Sequence, residues 1–330
     1  MTTPDRFDDY VSRLGLSPGT ARGFIAYTTD SFRGEDGTRG GYIGGLADRI
    51  KGLITAFLIA VATDRIFIAD WTRPFPLEPI LQPARWDWRP TTWFEYMKVP
   101  DAILLLHMIG RSNELDAYDV EGIEEHVLRR IEVVHFNLNG FSSGLASRLF
   151  PESSPWTTFR RAFETLFELH VPPPFKAMWE GIDQTRRTKG LVGVHLRTGA
   201  GNGWEDPVLA DWREHAPLLR FAFEEAAKRG YGDAAFYFAS DNKQAKEAVR
   251  ATDWGHTVIC SDAPIRHIDR AFKGNRASFD YAIVEFMLLS TCDLVVGGPG
   301  GFWSAAALVG GREAIGYEVR EPAQEPVSST

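Results

Sequence analysis

Four short stretches of this 330-residue chain combine glycine with charged or polar side chains in a way that suits an anionic ligand. His195-Leu196-Arg197-Thr198-Gly199 follows the apolar run Leu191-Val192-Gly193-Val194. Ligands of open α/β sheets bind beyond the carboxyl ends of strands, and strand alternation puts His195 and Arg197 on the same side. An arginine there offers a planar fork of donors to a diphosphate, and its charge persists as a phosphate leaving group departs. The plain alternative is a salt-bridged arginine next to a core histidine.

The other three stretches follow the same logic. Gly40-Gly41-Tyr42-Ile43-Gly44-Gly45-Leu46-Ala47-Asp48-Arg49 reads as a glycine-rich turn opening a helix. Its backbone N–H groups can approach an anion closely, and the helix end adds partial positive charge. It has neither the GxGxxG fingerprint nor the Walker lysine, so a tight turn followed by a charged first helical turn is the competing reading. Phe238-Ala239-Ser240-Asp241-Asn242 ends a strand and either caps the next helix or touches a base or ribose. Val296-Gly297-Gly298-Pro299-Gly300-Gly301-Phe302-Trp303-Ser304 leads from a strand into a second candidate phosphate-facing helix end, unless its aromatics only plug the core.

Alternating elements must hold these stretches. β-type runs alternate with amphipathic segments, the pattern of βα units around parallel sheets. Strands are expected at 23–28, 65–71 and 131–138, with a helix over 47–63 between the first two. The Pro- and Trp-rich region 71–100 reads as irregular structure with short helices. Helices follow at 156–169 and 174–186, separated by Pro172-Pro173-Pro174. Beyond them the alternation is regular: strands at 191–196, 234–239, 257–260, 294–297 and 313–317, and helices at 216–229, 243–252, 279–292 and 302–309. Two domains are expected, 1–187 and 188–330, the second Rossmann-like and nucleotide-binding.

Composition limits the function classes. A formal net charge of -8 argues against a phosphate-backbone partner. The longest apolar stretch, Leu53 to Ala62, is shorter than the ~20 residues of a membrane span. The first residues lack the order of a secretory signal, so a cytoplasmic protein with no membrane span is expected. Cys260 and Cys292 show neither disulfide nor zinc spacing and read as small buried hydrophobes. Trp71, Trp86, Trp88, Trp93 and Phe94 are either a sugar-stacking surface or packing beneath a long loop.

In order and spacing the motifs resemble the fucosyltransferase superfamily that includes the rhizobial nodulation fucosyltransferase, the α1,6-fucosyltransferases and the protein O-fucosyltransferases. The resemblance covers most of the chain. It is closest at Gly44-Gly45-Leu46-Ala47-Asp48-Arg49, at the VGVHLRTG run ending at Gly199, at the FASD strand end, and over the segment from Met287 through Gly301-Phe302-Trp303. It implies an α/β, GT-B-like fold of two Rossmann-like domains with parallel sheets facing across a cleft. It also implies a metal-independent, inverting transfer of fucose or a related sugar from a GDP-sugar donor, with no further cofactor.

Arg197 holds the position of the arginine that binds the donor β-phosphate in that family. The candidate donor-binding set is Gly44, Gly45, Arg49, His195, Arg197, Thr198, Ser240, Asp241, Asp262, Gly300, Gly301 and Phe302. A general base is expected at Glu205 or Asp206, in the loop after Arg197, with Asp48 as the alternative. This chain departs from relatives with Thr198, where several carry a second basic residue, and with Gly300-Gly301, where many carry serine. The acceptor, whether glycan, peptide or small molecule, has no recognisable motif. Two other functions fit the same scaffold: use of another activated substrate in small-molecule biosynthesis, or nucleotide binding without catalysis.

Overall fold

A computed structural model of the protein describes residues 6–29, 44–93, 103–109, 111–199, 208–261 and 276–318. The N-terminal half starts with α1 (Arg6–Leu16), whose Phe7, Tyr10 and Leu14 recur at helical spacing and are buried together. There follow β1 (Phe24–Thr28), α2 (Leu46–Ala62), β2 (Ile66–Asp70), β3 (Leu81–Pro83), a single turn α3 (Pro90–Trp93) and β4 (Ile103–Ile109). Next come α4 (Val120–Gly122), β5 (Val133–Asn139), α5 (Ser143–Leu149), α6 (Pro155–Leu166), β6 (Phe167–Leu169) and α7 (Pro173–Lys189). Four of the strands form a parallel sheet in the order β2-β1-β5-β4. β3 and β6 form a separate antiparallel pair, Leu81 opposite Leu169.

Helix α2 holds this half together. Fourteen of its 17 residues are buried, from Leu46 to Val61. A helix apolar on nearly every side belongs inside a core, and α2 lies between the β1/β5 face of the sheet and helices α5, α6 and α11 (Phe302–Gly310). Gly52 allows the closest approach: a Cβ there would stand 1.9 Å from the carbonyl oxygen of Leu138 in β5.

The C-terminal half has β7 (Leu191–Leu196), α8 (His215–Lys228), β8 (Ala235–Ser240), α9 (Lys243–Ala251), β9 (Val258–Cys260), α10 (Arg276–Thr291), β10 (Leu294–Gly297), α11 and β11 (Glu313–Gly316). Its sheet is parallel throughout, in the order β11-β10-β7-β8-β9. Alternation divides the strand side chains between two faces. Val192, Val194, Leu196, Phe236, Phe238, Leu294 and Val296 pack under α8 and α9. Leu191, Ala235, Tyr237, Ala239 and Val295 join α10, α11 and the core of the N-terminal half in one continuous cluster. Small residues on that second face bring the helices close. A Cβ on Gly193 would meet Leu289 and Cys292 of α10 at about 3 Å.

Both halves are therefore parallel, Rossmann-like α/β layers, as expected. Position 187, where the sequence suggests the division, lies in α7, whose Phe175 packs its ring on Tyr281 of α10. Several expectations are corrected. The helix expected over 156–169 ends at Leu166, because Phe167–Leu169 leaves it to pair with β3. The irregular region holds a short helix, α3, as expected, but also the strand β3, and the strand β4 and helices α1 and α5 were not anticipated. Trp71, Trp86, Trp88 and Trp93 are all buried. The indoles of Trp86 and Trp88 donate to the carbonyls of Phe67 and Leu166, which makes these rings packing groups and not a sugar platform. Cys292 is buried and Cys260 half-buried. No described helix is long and apolar enough to cross a membrane.

Candidate functional site

The site lies at the carboxyl ends of β7, β8 and β10. His195, the fifth residue of β7, is buried and stacks on Phe302, the first residue of α11, with ring centroids 5.0 Å apart and planes 22° from parallel. Burial, then the positive charges of Arg197 and Lys246, push its pKa down to about 3. The imidazole is thus neutral, and its Nδ1 has no hydrogen-bond partner among the described residues. Arg197, two residues on, is half-buried. Its Cδ lies 3.4 Å from where a Cβ on Gly300 would stand, so the side chain runs along the turn that precedes α11.

The end of β8 shapes the loop that follows Arg197. One carboxylate oxygen of Asp241 accepts the Thr198 N–H at 2.8 Å and the Thr198 hydroxyl at 3.1 Å, while the other accepts the Gly199 N–H at 3.1 Å. Asn242 caps α9 by accepting the Ala245 N–H, and the buried Ser240 hydroxyl accepts the Asn242 N–H. The capping reading of this stretch holds at Asn242, and Asp241 ties down the backbone of Thr198 and Gly199 next to Arg197.

The turn from β10 into α11 is built around Trp303. Its indole donates to the Gly298 carbonyl at 2.8 Å and covers Gly297, where a Cβ would stand 2.1 Å from the ring. The Gly298 N–H in turn donates to the His195 carbonyl at 3.0 Å, tying β10 to β7. Gly300 has φ +94°, a conformation that glycine adopts without strain. Beyond it, α11 turns toward this position the end at which a helix carries its first N–H groups and the positive pole of its dipole.

In the N-terminal half, Gly44 has φ +92° and Gly45 is the N-cap of α2. Asp48 accepts the Gly45 N–H at 3.2 Å, closing that turn as a cap. Arg49 is buried and faces inward: Nε donates to the Gly44 carbonyl at 3.0 Å and Nη1 to the Arg73 carbonyl at 2.7 Å, with the guanidinium over Trp71. It pins the turn to the chain after β2. Of the other expected residues, Glu205, Asp206, Asp262 and Phe94 lie outside the described residues.

Two groups at the site escape the sequence reading. Lys51 of α2 is half-buried, and its Nζ is 3.1 Å from the place of a Cβ on Gly301. The second is a polar cluster around Glu285 of α10, which is fully buried. Its Oε1 accepts from the hydroxyls of Tyr281 at 3.0 Å and Tyr237 at 3.4 Å, and Lys246 Nζ is 3.9 Å away. Ser261 also hydrogen-bonds Tyr281. Burial raises the Glu285 pKa to about 7 although Lys246 and the tyrosine hydroxyls oppose it. A lone acid in the apolar run Ala282-Ile283-Val284-Glu285-Phe286 is a visible signal, since unpaired carboxylates are almost never fully buried. Among the described residues no group of three or more His, Cys, Asp or Glu side chains is placed to hold a metal ion.

This architecture, two parallel Rossmann-like sheets with an arginine at a central strand end facing a glycine-opened helix, is that of a GT-B-like protein. No protein-family model matches the sequence, and no curated protein matches it. Among solved structures, a mutant of Arabidopsis thaliana FUT1 in complex with GDP is similar, with a TM-score of 0.55 and 16% identity over 96% of this chain and 74% of that one. Fucosyltransferase NodZ from Bradyrhizobium also matches, with a TM-score of 0.49 and 14% identity over 88% of this chain and 94% of that one. At such identities the likeness to FUT1 is one of fold alone.

Proposed function

We propose that the protein is a glycosyltransferase that takes fucose, or a related sugar, from a GDP-sugar without a metal ion and transfers it with inversion to an acceptor hydroxyl or amine. The observation that carries this reading is the placement of Arg197 along the glycine turn at the positive end of α11. As the bond between the anomeric carbon and the β-phosphate oxygen breaks, its electron pair goes to the phosphate. Negative charge therefore grows where Arg197 and the N–H groups of α11 are already oriented, so their attraction is greater in the transition state than in the ground state. Asp241 contributes indirectly by holding the backbone of Thr198 and Gly199.

The acceptor attacks the opposite face of the sugar and loses a proton. His195 is unsuited to take it, because a base with a pKa near 3 has little proton affinity at neutral pH. We assign that role to Glu205 or Asp206, in the segment that follows Arg197.

Calorimetric titration of the purified protein with GDP, UDP and ADP in the presence of a chelator, beside Arg197→Ala, tests the reading. Selective GDP binding that the substitution abolishes, with transfer reduced about 10²–10³-fold and the thermal midpoint unchanged, is the expected outcome. Absence of nucleotide binding by the folded wild type, or full activity of Arg197→Ala, would refute it.

A further inference from the structure

Beneath the carboxyl ends of β7 and β8 lies a polar cluster that the transfer chemistry leaves unused. Glu285 of α10 is 0% exposed. Gly193 pairs with Tyr237 and His195 with Ala239, so Tyr237 lies one strand over and two residues below His195 on a shared sheet face. Glu285 Oε1 accepts from the hydroxyls of Tyr281 at 3.0 Å and Tyr237 at 3.4 Å, while Oε2 is buried with no hydrogen-bond partner. Lys246 Nζ stands 3.9 Å from Oε1, too far for a hydrogen bond, and lies 5.4 Å from the centre of the Tyr281 ring.

An ionised carboxylate in this position leaves one charged oxygen without a donor, and a neutral acid leaves one O–H without an acceptor. The first costs more, and the nearby ammonium offsets part of the difference. The two states are therefore close in free energy, with the pKa held at about 7. Around this acid, Tyr237 of β8 and Tyr281 of α10 stay protonated, as do the thiols of Cys260 in β9 and Cys292 just beyond α10, all raised first by burial. His195 of β7 stays neutral. The charges that reach Glu285 are those of Lys246 on α9 and Asp241 at the end of β8. α7 and α11 bring rings to α10, Phe175 onto Tyr281 and Phe302 onto Phe286.

Charge at the strand ends is felt at Glu285. The Asp241 carboxylate raises its proton affinity, and the same carboxylate accepts the N–H groups of Thr198 and Gly199, next to Arg197. The Lys246 ammonium acts on both Glu285 and His195. A diphosphate held by Arg197 thus brings its negative charges into the range from which a single carboxylate already acts, where the effective dielectric is about 20 and not that of water. Like charge favours the protonated acid.

We propose that Glu285 couples anion binding to proton uptake: as the phosphates settle at Arg197 the carboxylate takes a proton from solvent, and as they leave it returns that proton. Lys246, with its neighbour neutralised, then contributes its full charge to the anion-binding edge of the sheet. The inference rests on the functional reading above and adds regulation to it. The donor is bound more tightly in mildly acidic surroundings, and the diphosphate product leaves more readily as pH rises.

Titration calorimetry at pH 7.5 in two buffers of different ionisation enthalpy counts the protons taken up when GDP or inorganic pyrophosphate binds. The wild type should take up about half a proton more than Glu285→Gln, whose side chain keeps its size and cannot ionise, and its affinity should fall about threefold more per pH unit between pH 7 and pH 8. Protons carried by the titrant are common to both proteins and drop out of the difference. Lys246→Met, which removes the ammonium that lets Glu285 ionise, should match Glu285→Gln, so either variant decides the matter where the other fails to fold. A purely structural role would lower affinity and leave the proton count unchanged. Equal proton counts in the wild type and either variant would overturn the coupling and leave the functional reading standing. Extra uptake with pyrophosphate, but no binding of GDP, would sustain the coupling and defeat that reading. A wild type that binds neither would remove both.

Discussion

Charge state distinguishes the roles of two buried side chains on the same face of the C-terminal sheet. His195 is kept neutral and Glu285 is held close to neutrality, each chiefly by desolvation. Their effects on stability have opposite signs. Glu285, raised from 4.5 to about 7, keeps a proton in the folded protein that the unfolded chain releases, so its contribution declines as pH rises through that window. His195, lowered from 6.5 to about 3, stays unprotonated while the unfolded chain takes up a proton, so its contribution declines as pH falls below 6.5. The two slopes partly cancel in the wild type. Glu285→Gln removes one of them, and its stability relative to wild type should increase steadily from pH 5 to pH 7.5, as read from urea midpoints. A difference independent of pH would show that Glu285 is already ionised in the folded protein, paired with Lys246 at 3.9 Å.

At the scale of elements, the sequence was most legible where burial and periodicity agree. All five strands of the C-terminal sheet fall within a residue or two of the expected positions; β7, β8, β9 and β10 are short apolar runs bounded by turn residues, while β11 is largely exposed. β4 was missed although Ile103-Leu104-Leu105-Leu106 is strongly apolar: it follows the Pro- and Trp-rich stretch, and an edge strand with half-buried residues shows no clean alternation. Phe167–Leu169 continues the amphipathic pattern of α6 and becomes a strand through pairing with β3, a tertiary contact that no local pattern specifies. At the site, Arg197 and the turn at Gly300 were readable from their place at strand ends. Lys51 was not, since it lies in an apolar helix and gains meaning only when α2 meets α11 in space. The same helix gives a prediction that sets two magnitudes against each other. Gly52→Ala should gain about 1 kcal/mol of helix propensity, but its Cβ would stand 1.9 Å from the Leu138 oxygen. Displacing α2 from β5 costs more, about 1–3 kcal/mol, so thermal denaturation should show net destabilisation; a raised midpoint would mean that α2 shifts freely.

For the molecule as a whole, the continuous core is the governing feature. Phe57 and Phe67 of the N-terminal half and Ile283, Leu289, Ala306 and Val309 of the C-terminal half belong to one apolar cluster, while the second cluster beneath α8 and α9 is confined to the C-terminal half. Cutting the chain near residue 187 would strand the apolar faces of α10 and α11 in water. Scanning calorimetry of the intact chain should therefore give a single cooperative transition, whereas two resolved transitions would show that the halves are independently stable. A shared core also links distant reporters. Whatever binds the folded chain alone stabilises it by mass action, by about 2.7 kcal/mol at a hundred times its dissociation constant. With one transition, that stabilisation is felt at Trp86 and Trp88 beside the N-terminal sheet, as much as at the turn before α11. The denaturation midpoint read from indole emission thus becomes an optical readout of occupancy for any ligand that binds the folded chain at that turn.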